Sequence, residues 1–168
     1  QLLEPVVGSL GHYPARHNVH HIYRRENMRD RMRKEGVPPH LDPNTTTLTR
    51  HLQANGYATG HFGKWHMGQF PESPPATAYG IDDARVACTR PQDEGWPDFK
   101  TEPHWWAKST DLFVDETIRF IGENRDRPFY VNLWTLIPHA ILDPTPEQLA
   151  VYDGLKVDPD DFQAWMRP

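Results

Sequence analysis

The sequence has little cysteine, no long apolar run and no strong excess of either charge. Cys88 is the single cysteine among 168 residues, which excludes an internal disulfide. No apolar stretch approaches the roughly 20 residues that a membrane-spanning helix needs, so we expect no membrane span. Lys and Arg number 18 against 23 Asp and Glu, a net charge of −5. Since phosphate binding needs a broad positive face, this balance argues against nucleic acid as the main partner.

Apolar and aromatic surface is present in quantity. Hydrophobic residues make up 37% of the chain and aromatic residues 11%, too much for a solvated disordered chain, and the length suits one domain. The chain begins at Gln1 with no basic and then apolar leader, and it ends at Pro168 soon after a weak helical pattern. We therefore expect a folded domain that is a piece of a longer protein, with no signal peptide in this stretch.

Prolines cluster in a few stretches of the chain, and regular helix and strand patterns lie between these clusters. Of the 17 prolines, 12 cluster in residues 37–43, 70–75, 91–103 and 137–146, which we predict to be loops. Residues 44–55 carry Leu48 and Leu52 four apart, with Gly56 behind them, and predict a helix. Residues 57–62 predict a short buried strand that Gly63 ends.

The second half of the chain predicts a longer helix and another strand. Residues 109–124 fit a helix that Ser109 caps, with an apolar stripe of Leu112, Val114, Ile118 and Ile121. Residues 129–135 are rich in β-forming side chains and end before Pro138. The order of strand, loop, helix and strand predicts the α/β class, with a mainly parallel sheet flanked by helices.

Basic side chains follow both predicted strands. Lys64 and His66 come directly after the first, and His139 follows the second. Because ligand crevices of open α/β sheets form at the carboxyl ends of the strands, one pocket can receive all three side chains. An ammonium offers charge to an oxyanion, and imidazoles can move a proton. The pattern favours binding or hydrolysis of a phosphate or sulfate ester, although three such residues in loops are also compatible with solvated or structural roles.

A specific resemblance rests on these same residues. Residues 56–68 read Gly-Tyr-Ala-Thr-Gly-His-Phe-Gly-Lys-Trp-His-Met-Gly and resemble the second signature of the type I sulfatases, Gly-Tyr-x-Thr-x-x-(apolar)-Gly-Lys-Trp-His-x-Gly. Three further stretches resemble that family in order and spacing: residues 11–19, residues 79–82, and residues 127–139, which end in Pro-His. The resemblance covers about residues 8–152.

The resemblance implies an alkaline-phosphatase-like fold and a sulfuric ester hydrolase of the arylsulfatase type, acting on a sulfated small molecule or glycan. By resemblance, Lys64 would hold the sulfate and the hydroxyl of a formylglycine nucleophile. His66 would be the base that collapses the sulfated formylglycine, and His139 would contact the sulfate and help to protonate the leaving alcohol. Family members usually carry Ca²⁺ and need a formylglycine-generating enzyme or an anaerobic maturase. A periplasmic, secreted or lysosome-like location is the corresponding expectation.

The sequence departs from the family pattern at the nucleophile. Counting back from Gly11 to the expected Cys/Ser-x-Pro-x-Arg gives Gln-Leu-Leu-Glu-Pro over residues 1–5, and no Pro-x-Arg follows Cys88. By resemblance, all the expected calcium ligands would lie before residue 1 or after Pro168, so we expect no metal site in this chain. Residues 1–168 are thus expected to be the middle of a sulfatase catalytic domain, inactive alone. A degenerate anion-binding module without turnover, and a related phosphatase or phosphotransferase, remain alternatives.

Four other features have both a functional and a structural interpretation. His17, His20 and His21 have the spacing of zinc ligands on a helix, but no Cys or carboxylate completes a site. Asp82 and Asp83 suit either a cation or a turn. Residues 24–34 suit either an anionic polysaccharide or a solvated helix face. The aromatic residues of one proline-rich stretch suit either a sugar-stacking shelf or loop anchors: Trp96, Trp105 and Trp106.

Overall fold

The computed structural model describes residues 10–11, 14–17, 32, 34–68, 73–87, 102–138 and 143–154. These residues form a parallel sheet with helices around it. The elements in chain order are a 3-10 helix Pro14–His17, α1 Leu48–Ala54, β1 Ala58–Lys64, a 3-10 helix Ala76–Tyr79, β2 Asp83–Ala87, α2 Trp105–Asn124, β3 Phe129–Trp134 and α3 Pro146–Ala150. Among the helices described, none combines the length and apolar character that a bilayer crossing needs.

The sheet has the order β2-β1-β3, and both pairings are parallel. Strand β1 is central, and all its residues except Lys64 are buried, as expected of a parallel strand covered on both faces. The predicted α/β class with a parallel sheet is therefore confirmed. Strand β2 was not predicted. Gly63 does not end β1, as the sequence analysis expected, but lies inside it and pairs with Val86 and Trp134.

Helix α2 covers one face of the sheet. The rings of Phe62 and Phe120 meet edge to face at 5.7 Å, and Ala58 completes this apolar cluster. The helix begins at Trp105, four residues before the predicted start, so Ser109 is not the cap but a buried residue whose hydroxyl donates to the Trp106 carbonyl at 2.7 Å. The predicted apolar stripe is wrong as well. Ile118 is 62% exposed, whereas the buried face carries Trp105, Ser109, Phe113, Phe120 and Asn124.

Helix α1 and the turn after the second 3-10 helix cover the other face. Thr47 caps α1 by accepting a hydrogen bond from the Arg50 amide at 3.1 Å. The Thr47 hydroxyl also donates to the Tyr79 carbonyl at 2.7 Å, which ties the helix start to the turn. Gly80 lies so close to α1 that an added Cβ would be 2.4 Å from the Arg50 Cα, and its φ is +78°. The turn therefore requires glycine at this position.

Two of the features with a functional alternative, the Asp82–Asp83 pair and Trp105, make structural contacts. Asp82 accepts hydrogen bonds from the Thr59 amide at 3.0 Å and from Gln53 at 2.6 Å, and Asp83 pairs with Arg119 at 2.6 Å. Trp105 is 1% exposed and belongs to the core, so it offers no sugar-stacking surface. Several predicted features lie outside the described residues: residues 1–5, His20, His21, most of residues 24–34, Cys88, Trp96 and His139.

Candidate functional site

Lys64 lies where the sequence placed it, at the carboxyl end of the central strand. It is the last residue of β1, and its side chain is partly buried. No ion-pair or hydrogen-bond partner of its ammonium occurs in the part of the chain that the structure describes. A partly buried, unpaired ammonium at a strand end is a site that an anion can occupy.

The segment after Lys64 is held in place by backbone hydrogen bonds on two sides. The Trp65 amide donates to the Ala87 carbonyl at 3.0 Å, which continues the pairing of β1 with β2. The Leu41 amide donates to the Met67 carbonyl at 3.0 Å, and the next pair forms an antiparallel bridge between His40 and Gly68. The loop that carries His66 is thus fixed at both ends, a rigid support of the kind that catalytic groups need.

His66 lies inside this fixed loop and is 7% exposed. It follows Lys64 by two residues, so both side chains issue from the same edge of the sheet. Gly68 ends the segment at a crowded point, where an added Cβ would be 2.8 Å from the Ser73 Cβ and 3.0 Å from the His40 Cβ. The small residue therefore permits the close approach of the neighbouring loop that anchors the His66 segment.

Strand β3 brings its carboxyl end to the same edge. Gly63 is opposite Trp134 in the register, and an added Cβ on Gly63 would lie 2.0 Å from the Trp134 carbonyl oxygen. Leu136 then enters the core beside Trp105 and Phe113. The chain reaches Pro138 from there, and His139 follows outside the described residues. The structure thus confirms the shared edge, while the position of His139 in the pocket stays a prediction.

His61 is a site residue that the sequence analysis missed. Its Nε2 lies 3.1 Å from the Lys64 carbonyl oxygen, so a proton on Nε2 makes a hydrogen bond to the backbone of the ammonium-bearing residue. Its ring meets Trp65 at 5.0 Å and Trp134 at 5.1 Å, both edge to face. One imidazole therefore contacts the residues that end β1 and β3. The sequence feature that could have indicated His61 was a histidine at an unspecified (x) position of the motif, inside a strand predicted to be buried.

The environment keeps this imidazole neutral. His61 is fully buried, and burial lowers its pKa to about 4, although the hydrogen bond to the Lys64 carbonyl opposes the change. Its Nδ1 has no hydrogen-bond partner among the described residues. A neutral ring with the proton on Nε2 satisfies the Lys64 carbonyl and adds no charge beside the ammonium, so His61 acts as a support of the site.

The described residues do not assemble a metal site. No group of three or more His, Cys, Asp or Glu side chains suited to a metal ion occurs among them. Two carboxylates at the start of β2, Asp82 and Asp83, are bonded to Thr59, Gln53 and Arg119. Burial raises the pKa of Asp82, but the hydrogen bonds from Gln53 and Thr59 outweigh it and hold that pKa below its usual value. Both carboxylates therefore stabilise the fold.

Comparisons with known proteins agree on one family. The model of the family described as Sulfatase matches residues 11–161. An N-acetylglucosamine-6-O-sulfatase of Bacteroides thetaiotaomicron is 30% identical over 115 residues, which are 64% of this chain and 19% of that protein. The chain thus spans about a fifth of the length of this curated relative.

Two solved structures share the fold. The crystal structure of Ps i-CgsB in complex with k-i-k-neocarrahexaose superposes with a TM-score of 0.62 at 21% identity, over 94% of this chain and 39% of that one. The structure of BT33336S-sulf, described with the metabolism of multiple glycosaminoglycans by Bacteroides thetaiotaomicron, gives a TM-score of 0.62 at 17% identity, over 88% and 43% of the two chains. At these identities the likeness concerns the fold.

Proposed function

Because the chain belongs to the sulfatase family, we propose that the protein containing it hydrolyses a sulfate monoester, with Lys64 and His66 in the sulfate-binding part of the site. The reaction is R–O–SO₃⁻ + H₂O giving R–OH and hydrogen sulfate. The observation that carries the proposal is the ammonium of Lys64 at the carboxyl end of the central strand, two residues before a buried histidine. The Lys64 side chain is partly buried, and its ammonium has no partner among the described residues.

The chemistry of the ester explains why these groups suit it. When the bond between sulfur and the bridging oxygen breaks, negative charge gathers on that oxygen while the sulfuryl group keeps its own oxygens. An ammonium positioned in advance stabilises this charge, since it need not be reoriented during the reaction. A histidine can hold or deliver a proton, so that the alcohol leaves neutral. In this proposal Lys64 binds the sulfate oxygens, and His66 and His139 move the protons.

His61, inside the central strand, supports the position of Lys64. Its hydrogen bond to the Lys64 carbonyl and its contact with Trp134 fix the ends of two neighbouring strands relative to each other. A catalytic group that is misplaced by about 1 Å can lower the rate on the order of 100-fold. The contacts that fix the two strand ends therefore matter to turnover. We assign His61 the part of a positioning residue, which touches neither substrate nor reacting atoms.

The sulfatase family is generally associated with Ca²⁺ and formylglycine. The described residues offer no calcium site, and the segment at the expected nucleophile position, residues 1–5, is outside them, so neither group enters the steps above. That a maturase acts on the whole protein, and that the protein works in a periplasmic, secreted or lysosome-like compartment, remain proposals from the family alone.

A sulfated sugar is the substrate class that the comparisons support best. The curated relative is named for N-acetylglucosamine-6-O-sulfate, which makes this ester the first substrate to try. The test is the release of sulfate from it by the full-length protein, measured by ion chromatography, beside the matched 6-phosphate ester. We expect sulfate release to exceed phosphate release. A faster phosphate ester would contradict the proposal and favour a phosphatase, and saturable sulfate binding without turnover would favour the anion-binding module.

A further inference from the structure

A cavity with both polar and apolar lining lies beside the loop that carries His66. Its volume is about 510 Å³, and two prolines form part of its wall together with Arg16, His17, His40, Asp42 and Thr45. Ligand pockets commonly have volumes of about 300–1,000 Å³, so this cavity has room for a small ligand or one unit of a larger one. Neither Lys64 nor His66 lines it, which makes it distinct from the site described above.

The cavity and the site share one piece of backbone. His40, in the cavity wall, bridges Gly68, and the next residue, Leu41, donates its amide to the Met67 carbonyl. His66 directly precedes Met67. Because partners in an antiparallel bridge have Cα atoms about 5 Å apart, the cavity wall lies within a few ångströms of the loop that presents His66.

Two polar groups of the cavity wall have no partner among the residues that the structure describes. The Arg16 side chain is exposed, and no ion pair of its guanidinium occurs among the residues that the structure describes. His40 also lines the cavity, and no hydrogen-bond partner of its ring occurs among the described residues. Its Nδ1 is buried, so Nε2 is the ring nitrogen that a ligand in the cavity can reach.

Among the described residues of the wall, the carboxylate is Asp42, and it is already engaged. Asp42 accepts two hydrogen bonds on the same oxygen from its own loop, from the Asn44 amide at 2.9 Å and from the Asn44 side chain at 3.1 Å. It forms no ion pair with Arg16 among the described residues. The guanidinium is therefore available to an oxyanion, which its planar donors suit, and an imidazole N–H can add a second hydrogen bond.

We propose that this cavity is a second anion subsite, in which Arg16 and His40 bind another acidic group, a carboxylate or a sulfate, of the saccharide whose sulfate ester occupies the Lys64 site. The inference rests on the proposed function, because it assigns both sites to one substrate. It adds that this substrate carries at least two acidic groups, and that Arg16 selects for the second.

The test reads the two sites separately in one experiment. NMR spectra of the protein labelled at histidine are recorded during titration with inorganic sulfate, and in a second series with acetate. The His40 ring reports on the cavity, and the His66 ring reports on the Lys64 site. We compare the unaltered protein with Arg16→Gln and Lys64→Ala. Arg125→Gln is the matched control, since Arg125 has a side chain 79% exposed and lines neither site.

We expect both rings to shift and saturate in the unaltered protein. Arg16→Gln raises the midpoint for His40 at least tenfold and leaves that for His66 unchanged, which also shows that the variant is folded. Lys64→Ala does the reverse, and Arg125→Gln changes neither midpoint. Saturation of His40 by acetate but not sulfate identifies the second group as a carboxylate, and the opposite result identifies it as a sulfate.

Two results would overturn the inference. The first is that neither anion changes the NMR signals of the His40 ring. The second is that the His40 midpoint is the same in the unaltered protein and in Arg16→Gln. Neither result affects the conclusion drawn from His66. Failure of the proposed function is seen separately, as a His66 ring that sulfate does not shift or that shifts equally in Lys64→Ala. That result also removes the assignment of the cavity to a shared substrate.

Discussion

Acidification is expected to destabilise the fold through His61, because this imidazole is buried without charge. Burial lowers its pKa from 6.5 to about 4. Above pH 6.5 the ring is neutral in both the folded and the unfolded state, so the free energy of unfolding does not depend on it. Between pH 6.5 and 4 the unfolded state takes up a proton that the folded state does not, and stability falls with decreasing pH. Below pH 4 both states are protonated and this contribution is constant.

The size of the effect follows from the two pKa values. One pKa unit corresponds to about 1.4 kcal/mol, so the loss attributable to His61 between pH 7.5 and 4.5 is about 2.5 kcal/mol. The assay is urea unfolding of the unaltered chain and of His61→Gln at several pH values. Glutamine retains a donor for the Lys64 carbonyl but does not titrate in this range, so any constant cost of the substitution cancels from the pH dependence.

The control is His51→Gln, because His51 is exposed on α1. We expect the unaltered chain and His51→Gln to share the same loss of stability upon acidification, and His61→Gln to lose about 2.5 kcal/mol less. Parallel pH profiles for the unaltered chain and His61→Gln would contradict this prediction, since they would show that protonation of His61 does not lower the free energy of unfolding at low pH.

Two further substitutions test the packing that supports the site. Gly63→Ala places a Cβ 2.0 Å from the Trp134 carbonyl oxygen at a φ of +113°. We therefore expect the variant to lose cooperative thermal unfolding. A melting temperature equal to that of the unaltered chain would contradict the close approach of β1 and β3. Phe120→Ala removes a ring that contacts Phe62 and should lower the free energy of unfolding in urea by about 3–5 kcal/mol. Ile118→Ala changes a residue that is 62% exposed and should lower it by less than about 0.5 kcal/mol. Equal costs would show that α2 faces the sheet differently.

The sequence predicted those elements whose determinants are local. Helix α1 has its capping threonine before Leu48 and its glycine after Asn55, and both act within one turn of the helix. The first strand was recognised because a short run of β-forming residues follows Gly56 directly. The prediction placed Lys64 at the edge of the sheet correctly, although Lys64 is the last residue of β1 and not the residue after it.

Strand β2 escaped prediction because distant partners stabilise it. Its residues Asp83 and Arg85 look like turn or surface residues, but they pair with Arg119 and Glu116 of α2, more than 30 positions away. The orientation of α2 was missed for a related reason. Aliphatic residues occur on more than one side of this helix, and only the position of Phe62 in the sheet decides that Phe120 faces inward.

The site was predictable in its charged residues but not in its support. Lys64 and His66 carry chemistry that a motif can flag, and the shared edge of β1 and β3 follows from the parallel order. The part played by His61 depends on the three-dimensional meeting of its ring with Trp134, about 70 positions along the chain, and on a hydrogen bond to a backbone carbonyl. The cavity of Arg16 and His40 has no local pattern either, because its described wall combines a 3-10 helix with a loop more than 20 residues further along the chain.

The central claim is that the Lys64 ammonium binds the sulfate whose ester bond is broken. The most direct measurement is kcat/KM for N-acetylglucosamine-6-O-sulfate with the full-length protein, compared with Lys64→Ala and with Lys108→Ala. Lys108 is a matched lysine on α2 that pairs with Glu102 on the surface. We predict a loss of about 100-fold or more in Lys64→Ala, as for removal of a charge-stabilising group, and a change within about twofold in Lys108→Ala. Equal rates in the two variants would contradict the account.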